Sequence, residues 1–161
     1  MAAAFQLLNN NNTWLLKGDQ YIQFLLTNPD VPLYGPHAIS PKWNSFQDSG
    51  WTTANAFLRD VSAPEAGVVK AFVFNGADVM YIRVQDTQWW TDTRLLAPSP
   101  IDTTWKALEI AGFTANPLSA AFLSSNEGAT SQAWFFSNRQ CCLVEFKFSC
   151  VFSLSFWFLS T

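Results

Sequence analysis

The residues of this sequence best suited to hold a ligand are two adjacent tryptophans, Trp89 and Trp90. Neighbouring indole rings on a loop can stack on a sugar ring or anchor a protein partner, because each buries a large apolar area and keeps one polar group. Asp92 and Arg94 follow closely and offer a carboxylate and a guanidinium for polar contacts. We therefore predict a ligand-binding patch at Trp89, Trp90, Asp92 and Arg94, with packing of the two rings in a core as the alternative.

Catalytic chemistry has weaker support in the sequence. His37 is the single histidine, which excludes a multi-histidine metal site, and its neighbour Pro36 predicts an exposed loop position. The carboxylates of Asp86, Asp92 and Asp102 are available, but no spacing singles out a pair for glycoside hydrolysis. We therefore predict no catalytic residues and no enzyme activity, and a hydrolase is the least favoured alternative.

The composition of the chain limits the classes of partner and the cellular compartment that we expect. A net charge of -3 with nine basic residues argues against nucleic acid and against an anionic membrane surface. No apolar stretch reaches the roughly 20 residues of a transmembrane helix, and no basic start precedes a continuous apolar segment. These features favour a cytoplasmic location. Three cysteines without a Cys-x-x-Cys spacing predict reduced, structural thiols at Cys141, Cys142 and Cys150.

The elements that position these residues are repeated along the chain. One pattern occurs twice between residues 36 and 113, at a fixed distance of 62 positions. Such a period is typical of repeat architectures in which each copy is one supersecondary unit. Residue class is kept in seven positions, which pair Pro36 with Pro98, Ile39 with Ile101, Ser40 with Asp102, Trp43 with Trp105, Phe46 with Leu108, Gly50 with Gly112 and Trp51 with Phe113.

Each unit is predicted to be antiparallel sheet. A short alanine-rich strand comes first, and its small side chains suit crowded strands around a central channel. A polar turn follows, and then a hairpin of aromatic and β-branched residues around a turn such as Lys-Gly-Asp or Asn-Gly-Ala. The predicted opening strands are 2–5, 54–57 and 119–122, the turns are 9–12, 62–67 and 124–128, and the hairpins are 13–24, 71–84 and 133–146.

After each hairpin we predict a proline-containing linker and then a short helix or a fourth strand. Ser40 before Pro41 reads as a helix N-cap, and Asp102 is the matching cap in the second copy. The two apolar residues three positions apart in each copy share one helix face, and a glycine ends the helix. These residues are Trp43, Phe46 and Gly50 in the first copy and Trp105, Leu108 and Gly112 in the second.

With these motifs together, the chain resembles the haemopexin-like repeat family. The residues that carry the resemblance are the Ala-Phe openings, the Trp-Leu-Leu-Lys-Gly-Asp-Gln-Tyr hairpin from Trp14 to Tyr21, and the Pro-x-x-Ile-Ser-x-x-Trp segment from Pro36 to Trp43. The resemblance implies a four-bladed β-propeller with one repeat in each blade, and it is strongest to plant and fungal single-domain members. We therefore predict an all-β fold with short helices between the blades.

The resemblance also implies a cation, calcium or sodium, in the central channel. In the family the ligands are main-chain carbonyls of the opening strand, which here would belong to Ala2, Ala54 and Ser119. An aspartate that usually opens the strand is missing at all three positions, which weakens the electrostatics of the site without removing its ligands. Haem, suggested only by the family's name, would have His37 as its one imidazole ligand and is not expected.

The chain is shorter than a complete four-bladed ring with this period. We assign blade units to about 1–51, 52–113 and 114–146, which amounts to an incomplete propeller of two and a half to three blades, and we treat 147–161 as an atypical hydrophobic tail. Our hypothesis is that this tail is a truncated or mis-spliced end. Open blade edges predict self-association.

The function predicted from these features is that of a non-enzymatic binding module. Its loops would present a site for a protein, a glycan or a small metabolite on a rigid scaffold. One alternative is a structural or seed-storage protein with no specific ligand, and another is a truncated product with no function.

Overall fold

Three antiparallel sheets of four strands follow one another along the chain. The computed structural model describes residues 2–6, 12–85, 91–113, 118–127, 130–138, 140–146 and 155–157. The first sheet contains β1 (Ala2–Gln6), β2 (Asn12–Lys17), β3 (Gln20–Leu25) and β4 (Asn28–Ala38). The middle sheet contains β5 (Ala56–Glu65), β6 (Val68–Asn75), β7 (Asp78–Gln85) and β8 (Thr93–Pro100). The third contains β9 (Ala120–Glu127), β10 (Thr130–Ser137), β11 (Gln140–Phe146) and β12 (Ser155–Trp157).

The second and third strands of each sheet form the predicted hairpins. Two residues connect them in every case, and the first of the two has a positive φ. That conformation suits the twist of the flanking strands and favours glycine or asparagine. The residues concerned are Gly18 (φ 61), Gly76 (φ 62) and Asn138 (φ 52).

The turn between the first and second strands is narrower than predicted in two sheets. β5 continues to Glu65, so that only Ala66 and Gly67 separate it from β6. β9 continues to Glu127, which places the predicted turn residue Ser124 inside a strand. Polar and proline residues in these segments read as turn signals, but an edge strand next to a tight turn tolerates them because one side of it has no partner strand.

Each of the first two units has both a fourth strand and a helical segment. The segments predicted as proline-containing linkers are β4 and β8, which pair with β3 and β7 at the outer edge of their sheets. The proline residues are accommodated there because an outer strand needs hydrogen bonds on one side only.

The helical segments follow these outer strands. They are α1 (Ile39–Lys42) and α2 (Asn44–Ser49) in the first unit and α3 (Ile101–Thr104) and α4 (Lys106–Ile110) in the second. The predicted caps are wrong: α1 begins after Ala38 and α3 after Pro100, so Ser40 and Asp102 are second residues of their helices. Gly50 ends α2 in the left-handed conformation with φ 71, as predicted.

Backbone hydrogen bonds repeat with the same period as the sequence. The Ile39 amide donates to the Asp19 carbonyl at 2.8 Å, and the Ile101 amide donates to the Ala77 carbonyl at 2.8 Å. In each copy the tryptophan amide then donates to the isoleucine carbonyl four residues earlier, at 3.0 Å for Trp43 and 2.6 Å for Trp105. The sequence repeat is therefore a structural repeat.

The middle sheet is buried on both faces. One face, with Val69, Ala71 and Val73, packs against the first sheet and the Trp43 segment. The other face, with Phe72 and Phe74, packs against the third sheet and the Trp105 segment. β5 also contacts both β1 and β9, so the first strands of the three sheets lie side by side at the centre of the molecule. The protein is an all-β, incomplete propeller of three blades, as predicted.

The outer face of the third sheet has no described partner. Phe122 is 51% exposed there and stacks on Phe136 with ring centroids 5.6 Å apart, and Trp134 lies 6.4 Å from Phe136. Strand pairing places these three residues at the positions that Leu58, Phe72 and Phe74 hold in the middle sheet, where they are buried. No helix in the described part of the chain is long and apolar enough to cross a bilayer.

Trp105 is the residue whose loss we expect to cost most stability between the second and third blades. It is fully buried and makes ring contacts with Phe72, Phe74, Phe135 and Phe146 at 5.1 to 6.0 Å. Trp105→Ala should lower the free energy of unfolding by about 3–5 kcal/mol, because it leaves a cavity among four aromatic rings. Urea denaturation followed by near-ultraviolet circular dichroism measures the loss. Trp105→Phe should lose less, and a loss below about 1 kcal/mol for the alanine variant would contradict this packing.

Candidate functional site

The predicted loop patch is only partly within the described residues. Trp89 and Trp90 lie outside them, and their role in ligand binding stays a prediction. Asp92 and Arg94 are described, at the start of β8 and next to α2. Both side chains form hydrogen bonds within the protein, and these bonds are the observable part of the patch.

The Asp92 carboxylate caps helix α2 from the next blade. Its two oxygens accept hydrogen bonds from the backbone amides of Asn44 at 2.7 Å and Ser45 at 2.9 Å. These are the first two amides of α2, which no side chain of the helix itself caps. Burial raises the pKa of the Asp92 carboxyl above its usual value, and the hydrogen bonds from Ser45 and Asn44 act in the opposite direction.

Arg94 holds the other end of the same helix. Its Nη1 donates a hydrogen bond to the carbonyl of Asp48 at 2.9 Å. An arginine at the C-terminal end of a helix satisfies a free carbonyl and opposes the partial negative charge there. Asp92 and Arg94 therefore fasten α2 of the first unit to the middle sheet.

The predicted carbonyls of the central channel do not occupy equivalent positions. The Ser119 amide donates to the Phe136 carbonyl at 2.8 Å, and the matching bond in the middle sheet runs from the Asn55 amide to the Phe74 carbonyl at 2.7 Å. Strand pairing likewise aligns Ala3 with Ala56 and Ala120. Asn55, and not Ala54, therefore corresponds to Ala2 and Ser119. A shift of one residue along an extended chain reverses the side to which the residue points, so Ala54 lies on the opposite side from the residue that matches Ala2 and Ser119. Cation binding at these carbonyls stays a prediction.

A pocket of about 370 Å³, open to solvent on the side of the exposed residues Ala4, Leu26 and Phe122, lies where the three first strands meet. We call it the central cavity. Its lining is mostly apolar and comes from all three sheets. The lining residues are Ala4, Thr13, Leu26, Phe57, Arg59, Ala121, Phe122 and Leu123.

Arg59 is the charged residue of the central cavity, and it is not among the site residues predicted from the sequence. It lies on β5, and its Nε is buried without a hydrogen-bond partner in the described part of the chain. Burial lowers the pKa of Arg59 below its usual value. The segment Phe-Leu-Arg-Asp contains no signal for a site, because only strand pairing shows which face of β5 the arginine occupies.

His37 packs against tyrosines and does not lie in the loop predicted for it. It belongs to β4, and its ring centroid is 4.3 Å from that of Tyr34 and 6.2 Å from that of Tyr21. Within the described ranges, no three His, Cys, Asp or Glu residues are grouped so that they could hold a metal ion. Cys141 and Cys142 are free thiols, and burial raises the pKa of Cys142 to about 12.

Comparisons with known proteins identify the fold. No protein-family model matches the sequence, and no curated protein matches it either. The structure is similar to that of LS24, a seed albumin from Lathyrus sativus, with a TM-score of 0.70, 18% identity and 94% of this chain covered. It is also similar to the hemopexin fold protein CP4 from cow pea (TM-score 0.67, 14% identity) and to a 2S albumin seed protein from Dolichos (TM-score 0.67, 18% identity), each over 95% of this chain.

The matches extend over part of each of those proteins. This chain covers 66% of the Lathyrus protein and 64% of each of the other two. The chain has the haemopexin fold.

Removing the carboxylate that caps α2 should loosen the contact between the first two blades. Asp92→Ala leaves the amides of Asn44 and Ser45 without their acceptors, so we expect a loss of about 1–3 kcal/mol in the free energy of unfolding. Asp102→Ala is the matched control, because Asp102 is an exposed carboxylate in the first turn of α3. It should change stability by less than about 0.5 kcal/mol. Equal losses in the two variants would show that Asp92 has no capping role.

Proposed function

We propose that this protein is a storage-type protein of the kind found in seeds, without enzymatic activity. The observation that carries the proposal is the similarity of the fold, over 94–95% of this chain, to two seed albumins and a hemopexin fold protein from cow pea. Sequence identity of 14–18% supports a shared fold directly, and the shared role is our inference from it.

The chemistry of the described residues agrees with a non-enzymatic role. Asp92 is 2% exposed and accepts hydrogen bonds from two backbone amides. His37 lies among tyrosines, with no nucleophile or carboxylate recorded as its hydrogen-bond partner in the described ranges. A general acid or base must reach a substrate proton, whereas the carboxylate of Asp92 is directed at backbone amides.

A binding module remains the second candidate function. The observation that favours it is the anchoring of Asp92 and Arg94, two of the four predicted patch residues, on α2. A rigid scaffold below a loop reduces the entropy lost when the loop holds a ligand. Binding of a protein, glycan or small metabolite by Trp89, Trp90 and Arg94 is compatible with storage and does not depend on it. Asp92, which is 2% exposed, would support such a site by holding α2.

A storage role predicts accumulation followed by degradation. Antibodies raised against the purified chain should detect it as an abundant protein in mature storage tissue of the source organism. The signal should fall over the days after growth resumes, relative to a constitutively expressed control protein measured in the same extracts. Similar low abundance in all tissues, unchanged when growth resumes, would contradict the proposal.

Self-association is a separate proposal and concerns the exposed outer face of the third sheet. The positions of Phe122, Trp134 and Phe136 repeat those that pack against the next blade inside this chain. The opposite face of the first sheet presents half-buried Leu15, Ile22 and Phe24 at positions whose equivalents in the other sheets are buried. Two copies therefore offer both halves of a blade-to-blade contact. Such a contact joins unlike faces and can close a ring or extend into a filament.

Light scattering after size-exclusion chromatography tests this contact. The average mass of the wild-type chain should rise with concentration, because two apolar sheet faces leave water together. Phe122→Glu should shift the rise to concentrations about tenfold higher or more, since a carboxylate would be buried in the contact. Ile110→Glu is the matched control, because Ile110 is 55% exposed and lies at the end of helix α4, on neither of the two open sheet faces. A monomeric wild-type chain at all concentrations, or an equal effect of the two variants, would refute the proposal.

A further inference from the structure

We propose that the central cavity binds an organic carboxylate with an apolar body, and that Arg59 pairs with the carboxylate group. The inference goes beyond a storage role and does not depend on it. It combines the shape and lining of the cavity with the position of one cationic side chain.

The cavity has the size and lining of a small-molecule site. Its volume of about 370 Å³ lies near the lower end of the range usual for ligand pockets, roughly 300–1,000 Å³. Phe57, Ala121 and Leu123 supply an apolar wall, and Thr13 adds a hydroxyl. Such a lining suits a short alkyl chain or a single aromatic ring, because burial of apolar area is the main source of affinity for these groups.

The space exists because two of the three equivalent side chains are alanines. Strand pairing aligns Ala4 of β1 and Ala121 of β9 with Phe57 of β5. A second and a third aromatic ring at this level, in place of Ala4 and Ala121, would fill the cavity. The alanines that the sequence analysis assigned to crowded strands therefore leave room for a ligand at the centre.

Arg59 brings a positive charge to this apolar site and has no described counter-ion. Its neighbour Asp60 lies on the opposite face of β5, where its carboxylate accepts a hydrogen bond from the Tyr81 hydroxyl. Glu65, farther along the same strand, is paired with Arg83 at 2.5 Å and with Lys70 at 4.0 Å. The acidic residues of β5 are thus engaged elsewhere and leave the charge of Arg59 uncompensated.

Arg59 is half-buried. A cation that is partly removed from water without a counter-ion destabilises a protein, and an anion that enters the site offsets the cost. The guanidinium group is planar and offers two parallel N–H donors, which matches the geometry of a carboxylate. The same positive charge repels a metal ion from the cavity. The geometry therefore favours an anionic ligand at the centre of this protein over a cationic one.

Three probes with the same alkyl chain separate the contribution of charge from that of apolar burial. Octanoate carries the carboxylate, octanol replaces it with a neutral hydroxyl, and octylamine carries the opposite charge. Isothermal titration calorimetry on the full chain should show saturable binding of one octanoate per molecule. Octanol should bind about tenfold more weakly or worse, because it lacks the charged partner for Arg59. Octylamine should show no saturable binding.

Variants then locate the site. Arg59→Gln should weaken octanoate binding about tenfold or more, and Arg59→Lys should keep part of the affinity because the charge remains. Arg83→Gln is the matched control, since Arg83 lies on the same sheet in an ion pair away from the cavity. Ala4→Phe keeps Arg59 but fills the space, and it should weaken all alkyl ligands alike. Near-ultraviolet circular dichroism checks that each variant is folded, and Ala4→Phe decides the matter if Arg59→Gln does not fold.

Several outcomes would overturn the proposal. Equal affinities for octanoate and octanol would show that apolar burial alone drives binding. Unchanged octanoate affinity in folded Arg59→Gln or in Ala4→Phe would place the ligand elsewhere. Absence of saturable octanoate binding, including a result in which only inorganic phosphate or chloride binds, would leave no organic carboxylate site at the centre.

Discussion

The structure depends on one contact that is used twice: the apolar face of a sheet packs against the next sheet, with a buried tryptophan between them. Trp43 fills the space between the first and middle sheets, and Trp105 does so between the middle and third. A four-stranded sheet with two apolar faces cannot remain isolated in water, because each face exposes a large apolar area. Among the described residues, only the middle sheet, with Val73 and Phe74 on opposite faces, has both faces covered.

The tryptophans require their helices to be held in place, and short helices are not stable alone. α2 has six residues and no cap of its own. The chain supplies the cap from 47 to 48 residues away, through the Asp92 carboxylate, and Arg94 binds the carbonyl of Asp48 at the other end. These two residues hold α2 in place, and they thereby fix the position in which Phe46 packs under the sheets. A polar bond between units and an apolar contact between units therefore support each other.

The repeat, the hairpins and the all-β fold could be predicted because each depends on residues close in sequence. The 62-residue period and turn residues such as Gly18 and Gly76 are local signals, and the structure confirms them. Helix caps and strand registers depend on residues that are distant in sequence. The sequence therefore predicts Ser40 as the helix cap, whereas in the structure the Asp92 carboxylate caps α2. It also predicts that Ala54 matches Ala2 and Ser119, whereas strand pairing gives Asn55. Proline in the segments of β4 and β8 predicts a linker. The structure has strands there, because the hydrogen bond that proline lacks matters only on the inner side of a sheet.

The sequence does not identify Arg59 as a site residue, because its charge is common at exposed strand positions. In sequence it follows Leu58 and precedes Asp60, as a charged residue on the solvent side of a strand would, and alternation alone gives it no preferred face. Strand pairing puts it on the face of Phe57, next to two alanines from other sheets. The columns that hold the blades together are apolar and repeated, whereas this position differs from them in charge. A repeat scaffold acquires a site where one copy departs from the common pattern, and Arg59 is such a departure at the centre of this one.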